Sequence, residues 1–253
     1  MKDVLREILL STADDELILG HRDSEWTAFA PFIEEDIAIS SLAQDEIAHA
    51  SVYLQLLHDL TGEDPDRLAF LREPEERRNA WLLERPKGDW AYTVVRHVAY
   101  DLFDDIRLRH LARSSFRPLA EVVERLQREE SYHLAHGRLW LERLAQGKGE
   151  ARQRLEKALS AVLEDVPGLF EEGAGVEEAV AQGLLPTRPR QWWEEWREAW
   201  GGLLIPLGLG AWVPEELSLP AAPGGRQGRH TDQLEELLGA LSEVYRSDPA
   251  AAW

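Results

Sequence analysis

The feature that most constrains the fold is a helical repeat of apolar residues through the first 165 positions. Apolar side chains recur there every three or four residues, the spacing that places them on one face of an α-helix. The repeat divides into four long predicted helices, at about 3–26, 31–60, 89–112 and 119–145, with a fifth at about 150–164. No stretch shows the alternation of a half-buried β-strand. The sequence therefore predicts an all-α protein.

Two Glu-x-x-His pairs interrupt the apolar faces of the second and fourth predicted helices. They are Glu46 with His49 and Glu130 with His133, and each pair occupies positions where the repeat calls for apolar residues. Residues three apart project from the same side of a helix, so each pair can present an oxygen and a nitrogen to one metal ion. Because buried, unpaired carboxylates cost several kcal/mol each, the pattern predicts a cation such as divalent iron or manganese.

The first and third predicted helices each add a single acid on the apolar face. Glu16 lies 30 residues before Glu46, and Asp101 lies 29 residues before Glu130. This repeated pattern is that of a di-iron, ferritin-like four-helix bundle. We therefore expect Glu46 and Glu130 to be bridging carboxylates and His49 and His133 to be histidine ligands. Glu16 and Asp101 would be terminal carboxylates.

Other interpretations of these residues remain open. Glu16 could be an exposed acid beside Asp14 and Asp15, and Asp104 or Asp105 could take the place assigned to Asp101. A histidine in the middle of a helix is more often a packed core residue than a ligand. The predicted site could also be vacant or hold manganese instead of iron.

Composition limits the partners of the chain. The 28 basic and 47 acidic residues give a net charge of −19, which disfavours nucleic acid and anionic membrane surfaces as partners. The sequence has no run of 18 apolar residues, so it predicts no membrane span. The absence of cysteine excludes disulfides and cysteine-ligated metals, and it favours a cytoplasmic location, as does a first segment unlike a signal peptide.

The C-terminal part is expected to cover the bundle. We predict one domain over 1–253, with a four-helix core at 1–146 and a helical cover at 147–253 that ends in a helix at about 231–245. Four tryptophans at 192, 193, 196 and 200 predict a core cluster or a subunit interface, with a ligand pocket as the alternative. The polar residues at 226 and 229–231 either bind an anion at the last helix or cap it and pair with acids.

Several short motifs along the chain carry a family resemblance. The motifs are DELILGHR at 15–22, SEW at 24–26, AP at 30–31, EDIA at 35–38, YHL at 132–134, WLERL at 140–144 and GRQGRHT at 225–231. They resemble the C-type subunits of the phenylacetyl-CoA epoxidases, which are ring 1,2-monooxygenases. The resemblance implies a ferritin-like subunit of a multicomponent bacterial enzyme. In that enzyme an iron-bearing A-type subunit is the catalyst, the C-type subunit is its structural partner, and a reductase supplies electrons from NADPH.

The resemblance leads to one functional expectation and two rivals. We expect a structural partner of an A-type subunit and of the other epoxidase subunits in phenylacetate catabolism, with a homodimer as a further possibility. C-type subunits are generally thought to have lost part of the iron ligand set, whereas this chain matches all six positions. The rivals are therefore a catalytically competent di-iron oxygenase and a ferroxidase-like iron protein; catalytic residues are not assigned.

Overall fold

The computed structural model of the chain describes residues 1–219, 221–222, 224–248 and 251. Within these residues the regular structure is entirely helical, with ten α-helices and no β-strand. The predicted all-α class is therefore confirmed, and four long helices with shorter ones between and after them are consistent with a ferritin-like bundle. None of the helices in the described part combines the length and apolar character needed to cross a membrane.

The chain divides into two compact units, the first formed by residues 1–86 and 222–253. Its helices are α1 (Lys2–Ser24), α2 (Ile33–Thr61), α3 (Pro65–Phe70), α4 (Trp81–Glu84) and α10 (Asp232–Ser247). Helix α1 packs along α2, and α3 and α4 lie in the connection that follows α2. The last helix, α10, packs against α3 and α4, so the C-terminal end of the chain belongs to this unit.

The start of α2 differs from the prediction. Pro31 was expected in its first turn, but α2 begins at Ile33, after an extended Phe32 with a φ of −160°. The preceding turn contains Ala28, whose φ of 69° is unusual for a residue with a side chain, and the backbone N–H of Ala28 donates to Asp36. Pro31 therefore lies in the bend before the helix, where its fixed φ and missing N–H suit an irregular connection.

The second unit covers residues 87–221. Its helices are α5 (Trp90–Leu111), α6 (Arg117–Ala145), α7 (Glu150–Asp165), α8 (Val176–Ala181) and α9 (Trp193–Leu204). Helix α5 is central and packs against α6, α7 and α9. It is preceded by Asp89, whose carboxylate accepts a hydrogen bond from the backbone N–H of Tyr92 at 3.0 Å, as in an ordinary N-cap.

The tryptophan cluster forms part of the core of the second unit. The rings of Trp193, Trp196 and Trp200 stack in series, with centroids 5.3 and 5.1 Å apart. Trp196 is fully buried, and its indole N–H donates to the carbonyl oxygen of Ala99 on α5 at 2.8 Å. The core interpretation of the cluster is therefore correct, because each ring is buried and the bond to α5 ties α9 to the centre of this unit.

Candidate metal centre

Three of the predicted ligands come together inside the first unit. Glu16 projects from α1, and Glu46 and His49 project from α2 one helical turn apart. All three are buried, and each offers a ligand atom within 4.8 Å of those of the other two. His49 Nδ1 lies 3.8 Å from Glu16 Oε2. A buried group of two carboxylates and one imidazole with this spacing could bind a metal ion.

A close approach of the two helices accompanies this group. A Cβ atom added to Gly20 would lie 2.9 Å from Glu46 Cβ and Ile47 Cγ1, and 3.0 Å from the carbonyl oxygen of Ala43. Gly20 is one helical turn after Glu16, so the missing side chain lets α1 approach α2 at the ligands. A larger residue would separate Glu16 from His49.

The other three predicted ligands are buried in the second unit. Asp101 belongs to α5, and Glu130 and His133 belong to α6. His133 Nδ1 lies 3.4 Å from Glu130 Oε2. A second glycine, Gly137, lies where α6 meets α5, since an added Cβ would be 2.9 Å from Val98 Cγ2 and 3.7 Å from Asp101 Oδ2. The structure therefore brings the acid of α5 next to the helix with the Glu-x-x-His pair.

The environment of Asp101 favours its neutral form in the absence of a cation. Burial raises the pKa of Asp101, the positive charge of His97 opposes this effect, and the negative charge of Glu130 adds to it. Both carboxylate oxygens are buried, and the nearby positive group is a histidine of the same helix. Such a carboxylate suits a divalent cation, which would supply further positive charge.

His97 was not among the predicted residues. It lies on α5 four residues before Asp101, is buried, and places its Nδ1 3.6 Å from Asp101 Oδ1. That distance is longer than a hydrogen bond but short enough for a strong electrostatic effect. The sequence could have predicted this contact, because a histidine and an acid four residues apart on one helix lie on the same side of it.

The acids that competed with the predicted ligands have other partners. Asp104 pairs with Arg107 on the same helix, and half-exposed Asp105 pairs with Arg109 at 3.1 Å. Since these two carboxylates already face arginines, Asp101 is the acid of α5 with a histidine instead of an arginine beside it.

The alternative that Glu16 is an exposed acid is wrong. All three consecutive acids at 14–16 are buried. Asp14 pairs with Arg72 and with Arg77, and Asp15 pairs with Arg226 at 2.8 Å. The arginines that neutralise Asp14 and Asp15 lie far away in the sequence, which is why the sequence alone did not predict that these acids are buried.

Two of the polar residues before the last helix pair with acids. Arg226 binds Asp15, and His230 Nδ1 lies 2.9 Å from Glu84 Oε2. The backbone N–H of Thr231 donates to the other oxygen of Glu84 at 2.9 Å. The pairing with acids is therefore confirmed for Arg226 and His230, whereas Thr231 occupies the N-cap position of α10 without a side-chain cap hydrogen bond.

The donor types agree with the metal that the sequence predicted. Carboxylate oxygens and imidazole nitrogens are ligands that suit divalent iron and manganese, and all six residues are buried. In both units a glycine lies where the helix that carries the lone acid meets the helix that carries the Glu-x-x-His pair. The residues present are thus compatible with a metal in their type and burial.

Comparison with known proteins identifies the family. The sequence model of the family described as "Phenylacetic acid catabolic protein" matches residues 2–253. The chain is also 29% identical over 246 residues to a curated relative from Escherichia coli (strain K12), the C-type subunit of 1,2-phenylacetyl-CoA epoxidase. That alignment covers 96% of this chain and 97% of the relative. The chain therefore belongs to the phenylacetic acid catabolic protein family.

Proposed function

We propose that this chain is the C-type subunit of a phenylacetyl-CoA epoxidase and acts as the structural partner of an A-type catalytic subunit. The observation that carries the proposal is the similarity to a C-type epoxidase subunit over nearly the full length of both chains. Full coverage matters because a shared core alone would indicate only a shared fold. The substrate class and the partner come from the name of the relative and from the motifs that resemble C-type subunits.

An exposed apolar surface in the first unit supports a role in assembly. Phe29, Phe32, Ile33 and Ile37 follow one another around the start of α2, and their exposed fractions range from 43% to 72%. Ile33 and Ile37 are four residues apart and lie on one side of the helix. Large apolar side chains grouped at a surface are typical of protein–protein interfaces, so we assign this surface to the A-type subunit.

Co-purification tests this assignment. An A-type subunit from a related epoxidase, carrying an affinity tag, should retain the wild-type chain and lose it when Ile33 and Ile37 are both changed to aspartate. The control is Val244→Asp, which introduces one such charge at a 63% exposed apolar residue on α10. Retention of the double variant at the wild-type level would place the interface elsewhere, and failure of the wild-type chain to co-purify would refute the subunit assignment.

We further propose that the six buried ligands hold two iron ions. Glu16, Glu46, Asp101 and Glu130 would hold the metal through carboxylate oxygens, and His49 and His133 would hold it through imidazole nitrogens. The bound metal would supply the redox chemistry that an oxygenase needs. The protein itself contributes buried carboxylates that helix packing holds in place. Because these carboxylates are buried, water is excluded from around them.

Metal analysis with matched variants tests this second proposal. We expect about two iron ions per chain after loading with Fe(II) without oxygen, as in di-iron carboxylate bundles. Glu130→Ala should lose metal, whereas Glu129→Ala, an exposed neighbour, should not. In the same way His133→Ala should lose metal and His136→Ala should retain it. Equal metal content in Glu130→Ala and Glu129→Ala would show that the metal binds elsewhere.

The rival function is an oxygenase that is competent without a partner. The buried group of Glu16, Glu46 and His49 favours this rival, because a purely structural subunit has no need of inward-facing ligands. The two functions differ in one assay. With reductase, NADPH and phenylacetyl-CoA, the iron-loaded chain alone should form no oxygenated product if it is a structural partner, whereas turnover abolished by Glu130→Ala would establish the rival.

A further inference from the structure

The GRQGRHT motif at 225–231 has a structural role that the proposed function does not explain. Arg226 lies in this segment and is buried. Its Nη1 donates to Asp15 Oδ1 at 2.8 Å and to the carbonyl oxygen of Arg78 at 2.9 Å. The backbone N–H of Ala80 donates to the same oxygen of Asp15 at 3.0 Å. One guanidinium therefore joins α1 to the connection around residues 78–80.

Two glycines allow residues 224–231 to pack closely against the connection at residues 75–80. A Cβ at Gly225 would lie 1.9 Å from the carbonyl oxygen of Asn79, and a Cβ at Gly228 would lie 2.2 Å from that of Glu75. Gly228 also has a φ of 75°, a conformation that side chains disfavour. Backbone atoms cannot move aside as a flexible side chain can, so both positions require glycine. We call residues 224–231 the clamp segment.

A second contact point lies further along α1. Arg22 Nη2 donates to the carbonyl oxygen of Glu84 at 2.6 Å. The carboxylate of Glu84 in turn contacts the clamp segment, through His230 Nδ1 at 2.9 Å and the backbone N–H of Thr231 at 2.9 Å. The clamp segment is thus connected to α1 at residues 15 and 22, two helical turns apart.

These contacts contribute to the direction in which Glu16 points. Successive residues of an α-helix point about 100° apart, so the orientation of Asp15 sets that of Glu16. Asp15 is held by Arg226 and by the backbone N–H of Ala80, and Glu16 then faces His49, 3.8 Å away. A rotation of α1 that released Asp15 would also turn Glu16 away from His49.

We propose that Arg226 is a positioning residue, and that the clamp segment sets the rotation of α1 so that Glu16 can act as a ligand. The inference rests on the proposed metal-binding function. It assigns to the C-terminal motif a task in orienting Glu16, which lies more than 200 positions earlier in the chain. Arg226 itself is not one of the proposed ligands.

The test compares Arg226→Gln with Arg229→Gln, the same change at an exposed arginine of the same segment. In Co(II) titrations followed by visible absorption, Arg226→Gln should weaken binding by up to about tenfold, the lower end of the loss for a direct partner of a ligand, because Arg226 acts on Glu16 through Asp15. Arg229→Gln should bind as the wild type does. Asp15→Asn, which keeps the shape of the side chain, should weaken binding in the same direction and serves if Arg226→Gln does not fold.

Hydrogen exchange of the metal-free chain separates failure of the clamp from failure of the metal proposal. Amides of residues 10–22 should exchange faster in Arg226→Gln than in wild type and Arg229→Gln, because α1 has lost an anchor. Unchanged exchange in Arg226→Gln would overturn the clamp whether or not metal binds. Equal Co(II) affinity of Arg226→Gln and Arg229→Gln would overturn the positioning role. A wild-type chain that binds no Co(II) would overturn the metal proposal and, with it, the ligand role given to Glu16.

Discussion

Replacing Gly20 by alanine should weaken the packing of α1 against α2, although alanine is the better helix former. The new methyl group would lie 2.9 Å from Glu46 Cβ and 3.0 Å from the carbonyl oxygen of Ala43. Both atoms belong to the backbone of α2 or are directly attached to it, so a rotamer change cannot relieve the contact. Helix α1 has to move away instead.

The two opposing effects can be compared. Overpacking of this kind costs about 2–3 kcal/mol when the neighbours cannot yield. Replacing glycine by alanine within a helix recovers about 1 kcal/mol. The net expectation is a loss of about 1–2 kcal/mol in the free energy of unfolding. The same displacement should lengthen the 3.8 Å separation of Glu16 and His49, so metal affinity should fall as well.

Urea denaturation followed by circular dichroism measures the first effect, and Gly239→Ala is the matched control. Gly239 lies inside α10, in the same compact unit, and an added Cβ would have no neighbour within 4 Å. That variant should therefore gain about 0.5–1 kcal/mol from helix propensity alone. The reasoning would be refuted if Gly20→Ala were as stable as the wild type while Gly239→Ala showed its expected gain.

Three further predictions concern the buried polar and aromatic groups. The pKa of Asp101 is raised in the folded state, so the stability that this group contributes to the metal-free protein should be fully present below pH 3.8, the pKa in the unfolded chain. That contribution should be lost as the pH rises from 3.8 through the folded pKa. Urea titrations at several pH values should show a weaker pH dependence for Asp101→Asn. Asp14→Ala should cost about 3–5 kcal/mol, since it leaves the buried Arg77 without a carboxylate, and a loss below about 1 kcal/mol in the same assay would contradict this. Trp196→Phe should cost about 2–3 kcal/mol through the lost bond to Ala99 and a partly filled space, and a thermal midpoint equal to that of the wild type would argue against it.

Asp14 should show the opposite pH dependence to Asp101. Burial alone would raise the pKa of Asp14, but the positive charges of Arg72 and Arg77 outweigh that effect and lower it. The stability that this group contributes is therefore present above pH 3.8 and lost as the pH falls through the folded pKa. Two buried aspartates of one chain thus respond to pH in opposite directions, according to the charges that face them.

The apolar repeat alone was enough to predict the helices. The predicted long helices agree with the structure to within about two residues at most ends, because a period of 3.6 over 20 or more residues has no competing interpretation. The same repeat placed Glu46, His49, Glu130 and His133 on inward faces, and all four are buried. Their role as metal ligands, the single-domain organisation and the cytoplasmic location stay predictions.

Tertiary structure decided the environment of each acid. Asp14, Asp15 and Glu16 are consecutive acids, and the sequence singled out Glu16 only by its place on the apolar face; three successive helical residues point in three directions. Asp14 pairs with the arginines at 72 and 77, and Asp15 pairs with the arginine at 226. Glu16 faces His49 instead. Local periodicity carries no information about partners brought together from such distances along the chain, so only the folded structure distinguishes a neutralised acid from a candidate ligand.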